Sequence, residues 1–491
     1  MRRITKVSLL AYLIFLTALS IFSIIRLYGN MKDTEVFKYS NIKIYLDNKK
    51  ENVIKNPDES YMSPVMIGGE PYLPLESAAR LTGFGVVLDD NTINFSSKKI
   101  GFDFAHFNED EAHRMLDKFK EVYPKVNVNL KLVPNANGEY QNYLAAALKS
   151  GTHVADVFAV DSSFAKRFIE LPDAFADLTD KAKGYTDKMI PYTIQVGTDK
   201  KGILRALSDT AAPGVIIYKK SISQKYLGTD DPLKIEEMFS TPEKILQTAE
   251  ILKQKSNGKV CLFSSFEELM LMYMGERRKG WVTDNKLVID EKVQDFIGFA
   301  KMLRAIRYEA GIEPLSSDWY SAIYSNDSVM AWVCPFGQIS NIVGYTDIKS
   351  GQKWGVIRPA YPFYDGGTWY GIYSKSQNKE IAWEFIKYFT TGKVLMRNWA
   401  NEYNSFPNNM EIISEGAKEN DKFLGINRFK LFEPIVKEID GKNATAYDHD
   451  IESEFVKALR LYLDGKFASK EEMISSFKKN VKLRFDDLVV Q

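Results

Sequence analysis

From residue 100 onward the apolar positions follow two alternating periods. Ala112, Met115, Leu116, Phe119, Val122 and Tyr123 recur every three or four residues, the spacing of one buried helix face. Asn108 stands where an N-cap belongs, with Glu111 three residues on as in a capping box, and Pro124 stops the helix. Val126, Val128, Leu130 and Leu132 then alternate with Asn127, Asn129 and Lys131, which predicts a strand. A second helix is expected from Glu139 to Lys149, ending at Gly151, and Ala155 to Val160 gives the next strand. This strand–helix–strand order predicts an α/β layer with a largely parallel sheet.

The first hundred residues read differently. Arg2, Arg3 and Lys6 precede an apolar run from Val7 to Ile25, closed by Arg26. At about 1.5 Å per residue such a run nearly matches a hydrocarbon core of about 30 Å. Residues 1–30 are therefore expected to be a signal anchor or a signal peptide. The run is long for a signal peptide and no small-x-small site follows it, which favours the uncleaved anchor. The basic flank predicts a cytoplasmic N-terminus and an exported remainder. A polar spacer from Gly29 to Lys38 follows, then a strand at Ile42–Leu46 and a turn at Asp47–Lys50. Val65 to Leu75 suggests a hairpin turning at Gly68-Gly69, and Glu76 to Leu81 a short helix ending at Gly83. A turn at Asp89-Asp90-Asn91 leads to a strand from Thr92 to Phe95.

Composition narrows the function. A chain of 491 residues is too long for one core. Lys and Arg total 65 against 64 Asp and Glu, so no basic excess exists to drive nucleic-acid binding. Aromatic residues make up 13%, with 26 Tyr and 7 Trp, which suits a wet binding surface as well as a core. Four His without paired spacing suggest no zinc site, and no cofactor is expected. The sequence holds no Gly-x-Ser-x-Gly elbow, P-loop, His-Glu-x-x-His or dinucleotide fingerprint, so an enzyme is not expected. Cys261 and Cys334 could pair outside the cell, a question their spacing leaves open.

Two resemblances organise these observations. Gly-Gly-x-Pro-Tyr-Leu-Pro-Leu-Glu from Gly68, then Ala79-Arg80-Leu81-Thr82-Gly83 and the Asp-Asp-Asn-Thr-Ile strand, resemble the copper amine oxidase N-terminal-like domain over residues 41–98. That segment has no His or Cys to bind copper, so the resemblance implies a small α+β stalk. Leu144–Gly151 and Ala155-Asp156-Val157-Phe158 resemble family 1 extracellular solute-binding proteins, the carbohydrate-type receptors of ABC importers. The likeness continues through Ser208–Lys220, Ser240–Lys244, Asn326–Trp332, Trp354–Pro359 and the helix Ser376–Phe389. It implies a two-lobed periplasmic-binding-protein-like α/β fold with hinge crossovers over 101–491. Lobe 1 would comprise about 101–211 and 369–410, and lobe 2 about 212–368 and 411–491. The implied ligand is a small solute, a sugar or oligosaccharide, held between the lobes and delivered to ABC importer permeases. The competing reading is a membrane-anchored surface sensor or adhesive module without a transporter.

A sugar presents C–H faces that aromatics cover and hydroxyls that carboxylates and amides bind. Asp161, at the end of a strand, and Asp209, opening the crossover segment, are candidate ligand acids; an N-cap and an Asx-turn are their structural alternatives. Trp332 and Phe336 flank Cys334-Pro335, and Trp369 and Tyr370 follow Gly366-Gly367, where the glycines would leave room for a ligand. Core packing is the alternative for each aromatic. Glu276, with Arg277 and Trp281, occupies a loop where the family has a Gln-Asn-Gly-Gly stretch. Arg277, Arg278 and Lys279 there would allow an acidic or decorated ligand, unless the loop is simply solvated.

Overall fold

A computed structural model of the chain describes residues 101–490 except 136–137, 325–326, 345–346, 349–350, 352 and 420. Before residue 101 it describes only 38–39, 44–46, 49–51, 65–67, 70–73, 84–89 and 92–99. The apolar run 7–25 and the expected helix 76–81 lie outside the described residues. Among those described, no helix is long and apolar enough to cross a membrane. The chain forms two compact units, one of residues 1–157 with 376–395 and one of 158–375 with 396–491.

In the first unit the early strands pair as antiparallel ribbons. Val65–Ile67 pairs with Glu70–Tyr72 around Gly68-Gly69, and Phe84–Asp89 with Thr92–Lys99 around 90–91. Ile44–Leu46 pairs with Lys49–Glu51, so Lys49 and Lys50 belong to a strand rather than to the expected turn. The α/β pattern then begins with β1 (Gly101–His106), α1 (Glu109–Val122), β2 (Asn127–Leu132) and α2 (Glu139–Ser150). Strands β1 and β2 run parallel, as the connecting helix requires. Asn108 caps α1 by accepting from the Glu111 backbone N–H at 3.0 Å. Gly151 closes α2 with φ of 68°, a left-handed conformation that favours glycine. The helix Lys379–Thr391 supplies this unit's core, setting Phe385 4.8 Å from Phe104 and 5.0 Å from Phe119. Trp383 is buried on the same helix, as its apolar neighbours predict.

Besides a two-stranded ribbon of Val282–Thr283 and Lys286–Leu287, the described residues of the second unit form two sheets. One holds β3 (Val157–Asp161, all but its first residue in this unit), β4 (Ala206–Ser208) and β9 (Thr368–Ile372) in the order β4-β9-β3. The other holds β5 (Gly214–Lys219), β6 (Cys261–Phe263), β7 (Val329–Pro335) and β8 (Trp354–Ile357) in the order β6-β7-β5-β8. Strands β5, β7 and β9 are buried along their whole length, so their sequences are apolar runs without alternation. Cys261 lies opposite Val329 in the parallel pairing of β6 with β7. Cys334 is five residues further along β7, about 16 Å away at roughly 3.3 Å per residue. A disulfide spans at most about 7 Å between Cα atoms, and both thiols are free.

Candidate functional site

Within the second unit, several elements bring charged side chains to one place, a candidate recess around Tyr364. Strand β3 ends at Asp161, and α3 (Ser162–Ile169) starts on it. One oxygen of Asp161 caps α3 by accepting from the Ser163 backbone N–H at 3.0 Å. The Ser162 backbone N–H donates to Gly367 O at 3.0 Å, and the Ser162 hydroxyl accepts from the Gly366 N–H at 3.1 Å. Gly366 and Gly367 both have φ of 101°, which side-chain-bearing residues rarely adopt. The two glycines therefore bend the loop so that Asp365 stands beside the start of α3, rather than clearing space for a ligand.

Asp365 is partly exposed, and its carboxylate accepts no hydrogen bond among the described residues. Burial pushes this carboxyl up to about 6, and the charges of Asp161 and Glu452 push in the same direction. Tyr364, before it, stacks on Tyr192 of α4 (Pro191–Gly197) with ring centroids 4.6 Å apart and planes 24° apart. The Tyr192 hydroxyl accepts from the Ala212 N–H at 2.9 Å, which fixes that ring against the crossover segment.

The opposite wall comes from two further elements. The helix Phe266–Gly275 ends just before Arg277, whose side chain is only 8% exposed. Its Nε donates to Met274 O at 3.0 Å, and its guanidinium lies 5.5 Å from the centroid of Trp281. Nη2 stands 3.7 Å from Asp448 Oδ2 and 3.5 Å from Glu452 Oε1, both on the helix Asp448–Leu463. Glu452 Oε1 also accepts from Trp281 Nε1 at 3.0 Å. Burial and the neighbouring Glu452 charge raise the Asp448 carboxyl well above the usual range, while Arg277 opposes them. Nη1 of Arg277 is buried and has no hydrogen-bond partner among the described residues. A buried guanidinium N–H without an acceptor is costly.

The expected site residues divide. Asp161 lies in this recess and also serves as the N-cap its structural alternative foresaw. Arg277 and Trp281, noted only as neighbours of Glu276, belong to the recess, whereas Glu276 itself is exposed at the end of the helix Phe266–Gly275. Asp209 is 4% exposed, and its backbone carbonyl accepts from the Asn408 N–H at 3.1 Å, tying together two crossover segments. Trp332, Trp369 and Tyr370 are 0% exposed inside β7 and β9, and Phe336 is buried against Phe423 and Phe432. These four aromatics present no open face to a ligand in this conformation, because β7 and β9 are covered on both sides and Phe336, just after β7, is packed among other rings. Trp369 Nε1 is satisfied internally, donating to Thr193 O at 2.8 Å. Sequence reasoning missed Tyr192, Tyr364, Asp365 and the pair Asp448 and Glu452. The last pair carried a readable signal, two acids four residues apart at a helix start that face the same way.

A polar cavity of about 170 Å³ lies elsewhere, beside Glu267, Arg304, Glu313, Arg460 and Asp464. Its arginines are already paired, Arg304 with Glu309 and Asp464, and Arg460 with Glu267 and Glu313.

Comparison with known proteins bears on the fold. The sequence profile of a family described as bacterial extracellular solute-binding protein matches residues 114–423. Among solved structures, an extracellular solute-binding protein of family 1 superposes with a TM-score of 0.68 at 18% identity, over 77% of this chain and 99% of its own. The sugar-binding protein MalE from Xanthomonas citri gives 0.65 at 13% identity, over 77% and 96%. The GacH receptor of Streptomyces glaucescens, solved unliganded and with acarbose, gives 0.62 at 16% identity, over 80% and 100%.

Proposed function

Because the chain belongs to the bacterial extracellular solute-binding proteins, we propose that its recess holds a carbohydrate outside the cytoplasm for delivery to ABC importer permeases. The observation that carries this reading is the pairing of unsatisfied groups around stacked rings. Asp365 is a free acceptor, Arg277 Nη1 a free donor, and Tyr364 on Tyr192 forms an aromatic wall. A sugar hydroxyl can donate to the carboxylate and accept from the guanidinium, and its C–H face can cover a tyrosine ring. Several structural relatives were solved with sugars, including GacH with acarbose and an ABC transporter associated binding protein of B. animalis with β-1,6-galactobiose. The Arg277–Lys279 loop does not turn the preference toward acidic ligands, since Arg277 is already faced by Asp448 and Glu452. Arg278 and Lys279 are exposed.

In this proposal residues 1–30 tether the protein to the membrane and residues 41–98 form the stalk that spaces the receptor from it. The lobes are those expected above, with the recess formed where their segments 161–197 and 440–452 approach each other. Within the second unit the Gly441 N–H donates to Gln195 Oε1 at 2.6 Å, and Phe164 lies 4.3 Å from His449, which is how a closed receptor holds its rim. Thermal unfolding of the full chain against a panel of mono- and oligosaccharides tests the reading. A binding sugar at about 100 times its Kd stabilises the fold by about 2.7 kcal/mol and raises Tm. Peptides or free amino acids raising Tm while every sugar leaves it unchanged would contradict the proposal.

A further inference from the structure

Glu268, on the helix Phe266–Gly275, is a buried acid that takes no part in the recess. It is only 6% exposed. Its Oε1 accepts from the Trp319 indole N–H at 2.5 Å, and its Oε2 from the Ser264 hydroxyl at 2.6 Å. The Val333 backbone N–H donates to the same carboxyl. Among the described residues no Lys, Arg or His pairs with it. The titratable groups facing it are Glu267, on its own helix and paired with Arg460, and Cys334 on β7. Burial pushes the Cys334 thiol up, so it stays neutral. The helix Ser317–Tyr324 and the residue after β6 present Trp319 and Ser264, which do not titrate in this range.

A buried carboxyl without a cation favours its neutral form. This one can take a proton without losing a partner, because the Ser264 hydroxyl can turn from donating to accepting. Burial pushes the group up to about 7, against the pull of its three donors. Once ionised it gains from water, and its three covers differ in how readily they yield. Strand β7 is buried along its whole length, and Ser264 is 0% exposed with its carbonyl held by the Ile312 N–H at 3.0 Å. The helix Ser317–Tyr324 is only about two turns long and has an exposed face at Asp318, Tyr320 and Tyr324. Lys219 Nζ donates to Ala322 O at 2.8 Å and so fastens its later part. The first turn, which carries Trp319, is the cover that lifts most easily. We infer that Glu268 and Trp319 form a proton-operated latch. The neutral carboxyl keeps the first turn of this helix docked, and the ionised one lets water lift it. The latch is independent of the carbohydrate reading.

The sign follows from the raised carboxyl. Its contribution to stability is present at low pH and is lost as pH rises through about 7. Between the ordinary carboxyl range and that value, each pH unit favours the lifted state about tenfold. The test is hydrogen exchange of the indole N–H groups of the full chain, followed by NMR and corrected for the intrinsic effect of pH. Trp319→Phe assigns the signal. Opening at the Trp319 indole should be roughly 20-fold greater at pH 7.5 than at pH 5.5. The indole of Trp369, held by Thr193 O at 2.8 Å, reports loosening of the unit as a whole and should change far less. Glu268→Gln keeps an acceptor for Trp319 and offers a donor to Ser264, so it should hold the Trp319 opening level across the same range. The wild-type comparison of the two indoles stands as a test without the variant. Equal opening at Trp319 at the two pH values, or a rise that Trp369 shares in full, would overturn the latch. So would a folded Glu268→Gln protein that keeps the wild-type pH dependence.

Discussion

Arg277→Ala is expected to lower sugar affinity about 10- to 100-fold and to destabilise the fold by about 3 kcal/mol. The first effect is the loss of a charged hydrogen-bond donor, worth about 1.5–3 kcal/mol. The second follows because the substitution leaves Asp448 and Glu452 facing each other with their shared cation gone. Breaking a buried ion pair from one side costs about 3–5 kcal/mol. The destabilisation depends on pH in a defined direction. The Asp448 carboxyl is raised in the folded protein, so its contribution to stability is present at low pH and is lost as pH rises through the folded value. Without Arg277 that folded value rises further, and more stability is lost. The cost of the substitution should therefore be larger at pH 8 than at pH 5, as urea unfolding at the two pH values would show. Arg277→Lys keeps a charge but loses the second donor edge, so it should recover more stability than affinity. Equal recovery of both would mean that Arg277 acts on the fold alone.

The second large effect is at Trp369. Its ring is fully buried in β9, opposite Ser208 in the pairing with β4, and its indole N–H is held by Thr193 O. Trp369→Ala should cost about 3–5 kcal/mol, the usual range for deleting a large aromatic from a core. Trp369→Phe keeps most of the volume but strands the Thr193 carbonyl, so it should cost about 1–3 kcal/mol. The folded Trp369→Phe protein should bind sugar with wild-type affinity. A ligand-stacking role at this position would instead give a large loss of affinity with little loss of stability. Titration and denaturant unfolding of the same variant separate the two.

The difference between Trp369 and Arg277 shows what could be read from the chain alone. Helices announced themselves: Asn108, Glu111 and Pro124 bound α1, and Gly151 ends α2, because caps and breakers act through their own neighbours. The hairpin at Gly68-Gly69 was legible for the same reason. The strands that carry Trp332 and Trp369 were harder. Covered on both faces, they have no polar alternation, and the turn residues beside them suggested exposed positions where the sheet made buried ones. The recess was the least legible part, because it draws on residues 161, 192, 277, 365 and 452. Each has a dull local reading as a cap, a helix residue or a loop charge. Only the crossing of segments far apart in sequence makes Arg277 the shared cation of Asp448 and Glu452. Even Asp161, placed correctly at a strand end, owes its role as much to Gly366 and Gly367 binding Ser162 as to its own neighbours.

The central claim is that the recess between Asp365 and Arg277 receives the sugar. Hydrogen exchange of the full chain, with and without a saturating sugar, tests it at residue resolution. Amides in 161–166, 274–281, 362–367 and 446–452 should exchange more slowly with sugar bound, as those segments are the ones a ligand would draw together. Slowing confined to the cavity beside Glu267 and Arg460, with those four segments unchanged, would contradict it.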